Sequence, residues 1–173
     1  LLISSITLVL FPKITENQKE GLETTLKVTR IVSFVIGSIV ILGFIFGGWL
    51  IPLVFGKNFS AALPAFYILL PATYFWAITS ILLQYFASKG LPWLVVIIWI
   101  PGFLINIILN IILIPHYGFV VAALTSLLAY FLTFVLYYLY LQRIQKVQLR
   151  QLLIMDITEI KLIKNNLTKR NEN

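Results

Sequence analysis

The sequence predicts an all-α fold, a polytopic bundle of transmembrane helices, and three observations carry that reading. Between Ile31 and Gln142 the only formally charged side chains are Lys57 and Lys89, and no acid occurs anywhere in that stretch. The chain is 60% hydrophobic and 14% aromatic, whereas a water-soluble domain must cover its surface with charge. Its apolar runs are about 20 residues long, which at about 1.5 Å of rise per residue matches a hydrocarbon core about 30 Å thick. They are apolar on every face rather than alternating, which removes a transmembrane β-barrel.

The elements follow in order. Residues 1–11 are apolar but reach only about 17 Å as a helix, too short to cross. They lack the basic start and small-residue end of a secretory signal. They read as the last half of an earlier transmembrane helix, so that the chain is expected to be the C-terminal part of a longer protein. Residues 12–27 are polar, and the spacing of Glu16 with Glu20 and of Glu23 with Lys27 predicts a helix lying on the inner membrane surface. Complete spans are expected at about 28–50, 63–87, 92–114 and 119–141. Pro64 and Pro71 can divide the second of these into a short interfacial piece and a true crossing. Trp49, Trp93, Tyr137, Tyr138 and Tyr140 fall near the expected interfaces, where amphipathic rings collect.

Residues 1–141 thus form one transmembrane lobe, and residues 142–173 a basic tail. In the tail Leu149, Leu153, Ile157, Ile160 and Leu167 approximate one apolar stripe, while Arg143, Lys146, Arg150, Lys161 and Lys164 supply charge. That pattern suits an amphipathic helix on an anionic leaflet, or a helix that binds a partner. The last nine residues, 165–173, are expected to be disordered.

Orientation follows from Lys and Arg in the connections, which are retained on the cytoplasmic side. Lys13, Lys19, Lys27 and Arg30, then Lys89, then the seven basic residues after Leu141 fall on one side; Lys57 alone falls on the other. The tail is therefore expected in the cytoplasm and the protein in the cell membrane. The net charge of +7 marks that membrane face and gives no reason to invoke nucleic acid.

Several chemistries are short of residues. With no cysteine there is no disulfide framework or thiolate site. His116 stands alone in the turn IPHYG and reads as an interfacial polar group. All six acids (Glu16, Glu20, Glu23, Asp156, Glu159 and Glu172) lie outside the spans, leaving none inside the membrane for acid–base work or metal binding. We therefore expect no enzyme, no cofactor and no metal in this part of the molecule. The sequons at Asn58 and Asn166 read as chance.

Function then has to lie in the polar and helix-breaking residues within the bilayer. Asn106 and Asn110 are four apart and share one face of the third complete span. Either they line a cavity or they join two helices by hydrogen bonds. Pro101 precedes them in the same span, where a proline removes a backbone hydrogen bond, kinks the axis as Pro71 can in the span before, and frees a carbonyl, an arrangement that recurs in transporters. Ser80 and Gln84, with Thr79 and Tyr85, form the polar part of the preceding span. Lys89 follows them and can meet an anionic head group or serve as a topology anchor.

The order of motifs resembles a family. Residues 11–14 (FPKI), PLVFG at Pro52, LLPATY at Leu69, QYFASKGLP at Gln84 and NIILNIILIPHYGFVVAALTS at Asn106 look like the C-terminal half of a polysaccharide biosynthesis protein. The family is that of the Wzx-type O-antigen flippases, in the MATE-like MOP superfamily, and the resemblance covers residues 1–141. It implies two helical lobes around a central cavity, of which about five helices are present here, the first truncated. It also implies a polyprenyl-diphosphate-linked oligosaccharide as substrate, flipped to the outer leaflet for O-antigen or capsule, with other polysaccharide assembly proteins as partners. The cationic cavity residues that would meet the diphosphate have no counterpart in these spans; they lie in the missing lobe, or the substrate differs. A MATE-type drug or cation exporter is the alternative, and a truncated, non-functional fragment of such a transporter is a further one. A glycan polymerase or ligase would need a catalytic acid or base in an outer loop, and the outer loops here are short.

Overall fold

A computed structural model describes residues 5–7, 10, 12, 14 and 20–154. Among these the regular secondary structure is all helical, with no strand. Four long helices carry the fold: α1 (Gly21–Phe55), α2 (Leu63–Ser88), α3 (Pro92–Tyr117) and α4 (Val120–Gln145). Each is long and apolar enough to cross a membrane. A 3-10 turn, Lys57–Ala62, joins α1 to α2, and a short helix α5 (Leu149–Leu153) follows α4.

The first crossing begins earlier than its hydropathy suggests. Instead of a separate surface helix ending at Lys27, α1 runs unbroken from Gly21 for 35 residues. Nothing between Gly21 and Val28 breaks a helix, and the Thr25 and Thr29 hydroxyls donate to the Gly21 and Thr25 carbonyls at 2.7 and 2.8 Å, so both bury without an unpaired group. Residues 13 and 15–19 of the expected surface helix lie outside the described residues.

Pro64 and Pro71 do not divide the second span. Pro64 sits in the first turn of α2, where a missing N–H costs nothing, and α2 continues through Pro71 without division. A 3-10 turn precedes it. Pro101 likewise lies within a continuous α3. Between α2 and α3 the chain reverses at Lys89 and Gly90, where a φ of 74° favours glycine.

Packing sets the spatial order α1–α2–α4–α3. α2 and α4 pack most extensively, with α1 against α2 and α3 against α4. Phe75 of α2 meets Phe131 and Phe134 of α4 at ring-centroid distances of 5.0 and 5.5 Å, and Phe86 stacks on Tyr137 at 5.7 Å. Ile78, Leu82 and Leu141 complete this core with no exposed surface. Between α1 and α2, Gly43 and Gly47 make room for Leu70, Phe66 and Tyr67, and the Ser33 and Tyr74 hydroxyls bond at 2.7 Å. The described residues of the N-terminal segment join this side, Leu10 and Ile14 burying against Val32, Ile36, Ala77 and Ile81. Outward, large apolar side chains such as Phe34, Trp49, Phe103 and Ile111 are exposed, as lipid-facing surfaces require.

The described part of the tail, residues 142–154, packs on the helices. α4 continues to Gln145, and Lys146 turns the chain back with φ 53°. Val147 and Leu152 then enter the same core as Tyr85, Phe86 and Leu141, with Leu22 and Leu26 of α1 packed alongside. Leu152, outside the stripe expected from the sequence, is fully buried, whereas Leu149 is 42% exposed. Arg30 Nη1 donates to the Gln151 carbonyl at 3.1 Å, and the Gln148 N–H donates to Gln151 Oε1 at 3.0 Å. Ile157, Ile160 and Leu167 of the stripe lie outside the described residues.

A candidate polar cleft between two membrane helices

α3 carries its asparagines towards α4. Asn106 Nδ2 donates to Thr125 Oγ1 at 3.3 Å, Thr125 Oγ1 donates to Asn110 Oδ1 at 2.6 Å, and Asn110 Nδ2 donates to Asn106 Oδ1 at 3.1 Å. The three bonds close a ring. Thr125 is fully buried and the asparagines are half-buried. Such a ring satisfies most of the polarity of three side chains where hydrocarbon offers no partner, and each bond polarises the next. Asn110 is thus joined to α4 rather than left free.

Asn106 has a second environment. Its amide also approaches Ser126 Oγ at 3.5 Å, and both residues line a cleft of about 160 Å³ together with Trp99, Gly102, Phe103, Ala129, Tyr130 and Thr133. Glycine is required at position 102 because a Cβ there would lie 2.5 Å from Thr133 Oγ1 and 3.0 Å from the Ala129 carbonyl oxygen. Pro101 is the residue before this contact. At about 1.5 Å of rise per residue, Gly102 lies about 15 Å from the start of α3 and Tyr130 about 15 Å from the start of α4, so the cleft sits near the middle of both helices.

The cleft is neutral. Ser126 and Thr133 donate their protons to the Ala122 and Ala129 carbonyls, each at 2.8 Å, leaving hydroxyl lone pairs as acceptors. Beneath it, Tyr137 donates to the Val95 carbonyl at 3.3 Å. Among the described residues no three His, Cys, Asp or Glu side chains gather to hold a metal.

The other sequence candidates lie elsewhere. Ser80 and Gln84 are half-buried on α2, with the Ser80 hydroxyl donating to the Trp76 carbonyl at 2.8 Å. Lys89 closes that helix, with Nζ 5.8 Å from the Tyr85 ring centroid. Neither they nor Pro71 line the cleft. Sequence reasoning passed over Thr125, Ser126, Tyr130 and Thr133, although Ala122, Ser126, Ala129 and Thr133 repeat small residues at four-three-four spacing, a signal of close helix approach.

Fold and site define a class: a multi-pass helical membrane protein whose polar groups converge on a neutral cleft. The chain matches no protein-family model, no curated protein and no solved structure.

Proposed function

We propose that this chain is the C-terminal lobe of a membrane transporter that flips a polyprenyl-diphosphate-linked oligosaccharide from the cytoplasmic to the outer leaflet for surface polysaccharide. The observation that carries the reading is the neutral polar cleft at the middle of α3 and α4. Membrane helices bury polar groups at a cost and mostly where a substrate, a pathway or a helix partner uses them. Asn106 serves as both partner and lining. The motif order described above adds the substrate class. Transport needs no bond made or broken on the substrate. The polar lining replaces the hydration of sugar groups, and two arrangements of the lobes expose the cavity to either side in turn.

In this reading the partners are the bilayer, the N-terminal lobe of the same chain, the lipid-linked glycan and the enzymes that assemble it, and the basic end of the bundle faces the cytoplasm. The test is complementation. The complete gene is placed in a bacterial strain lacking its polysaccharide flippase, with surface glycan and membrane protein level measured together. Restored glycan is the expected result. Protein present in the membrane without glycan, but with resistance to cationic dyes, would replace this reading with the exporter.

A further inference from the structure

The cleft has an aromatic side as well as a polar one. Trp99 of α3 and Tyr130 of α4 meet edge to face, their ring centroids 6.4 Å apart at 75°, and both line the space into which Asn106, Ser126 and Thr133 bring their polar atoms. Its volume of about 160 Å³ corresponds to about five water molecules at about 30 Å³ each, room for one small ring and not for a chain of them. The Ser126 and Thr133 hydroxyls have donated their protons and keep acceptor lone pairs. The Tyr130 hydroxyl bonds to no described residue and is not among the buried polar atoms, so it stays open to a hydroxylic group that enters.

We infer that this cleft takes one neutral sugar ring of the transported glycan, with Trp99 and Tyr130 as the aromatic wall and Asn106, Ser126 and Thr133 meeting its hydroxyls; the inference rests on the transport reading above. Charge decides against the other parts of a lipid-linked substrate. A diphosphate entering here would lose its hydration with no Lys or Arg lining the cleft, and a cationic drug would meet no carboxylate. A sugar ring presents hydroxyl donors to the free lone pairs, accepts from Tyr130, and offers an apolar face to the indole.

The experiment is a tryptophan-fluorescence titration of the complete protein in lipid nanodiscs. The probes are the methyl glycosides of glucose, galactose and N-acetylglucosamine, alongside inorganic pyrophosphate and tetraphenylphosphonium. Saturable quenching by at least one glycoside is expected, with its amplitude lost in Trp99→Phe and kept in Trp93→Phe. Tyr130→Phe, which keeps the ring, is expected to weaken half-saturation about five-fold, the loss of one hydrogen bond. If no glycoside saturates while the complete gene restores surface glycan, the cleft assignment is overturned and the transport reading stands. Glycoside saturation without restored glycan supports the sugar site and removes the flippase reading. Saturation by pyrophosphate or tetraphenylphosphonium alone overturns the assignment.

Discussion

The Thr125 hydroxyl donates to Asn110 Oδ1 at 2.6 Å and accepts from Asn106 Nδ2 at 3.3 Å, so one buried side chain of α4 holds both asparagines of α3. Removing it leaves Asn110 Oδ1 without its bond and Asn106 Nδ2 with only the longer approach to Ser126 Oγ. We expect Thr125→Val and Asn110→Leu each to cost about 1–2 kcal/mol, near the upper end for hydrogen bonds between membrane helices. The double variant should cost less than the sum, since each change already opens the ring. Reversible unfolding in mixed micelles measures all three; additive effects would show that the ring contributes no coupling.

Gly102 is a second joint between the same helices. Gly102→Val would drive side-chain atoms into Thr133 Oγ1 and the Ala129 carbonyl, and an overpacked contact costs about 1–3 kcal/mol. Thr133→Ala in the same chain removes the nearer obstacle and leaves the carbonyl, so the expected result is partial rescue. Unfolding midpoints of the single and double variants check this.

At the other end of the bundle, α5 is held by Leu152 and by the Arg30–Gln151 bond. Leu152→Ala is expected to destabilise the protein by about 2–5 kcal/mol if the site cannot collapse, and Arg30→Met by about 0.5–1.5 kcal/mol. Local opening should follow the same order. Trypsin should therefore cut at Arg150 faster in Leu152→Ala than in Arg30→Met, and slowest in the parent chain.

Orientation is open to direct labelling because the chain has no cysteine. Lys57→Cys and Lys146→Cys each introduce a single thiol at opposite ends of the bundle. With the basic end in the cytoplasm, a membrane-impermeant maleimide should label position 57 on intact cells and position 146 only after permeabilisation. The reverse pattern would invert the topology.

Much of the fold was legible because lipid as solvent imposes a simple rule, about 20 apolar residues per crossing, and the four spans were found within a few residues. The start of α1 was not. Residues 21–27 are polar, so hydropathy stops before the helix does, while Thr25 and Thr29 bury through bonds to their own backbone. The shared face of Asn106 and Asn110 followed from spacing alone, but not the helix covering it, because periodicity says nothing of neighbours. Neighbours also explain the tail. Leu152 rather than Leu149 is buried because Lys146 reverses the chain and Leu22 and Leu26, in the first turns of α1, decide which side is covered.

The most direct measurement is flipping itself, with the complete protein reconstituted in liposomes carrying a fluorescent polyprenyl-diphosphate oligosaccharide. The outer-leaflet fraction is read by a quencher confined to one side. The parent protein is expected to equilibrate the glycolipid between leaflets, and Ser126→Trp, which fills the cleft, to slow this markedly at equal protein level. Equilibration no faster than in protein-free liposomes, with the protein folded and inserted, would contradict the transport reading.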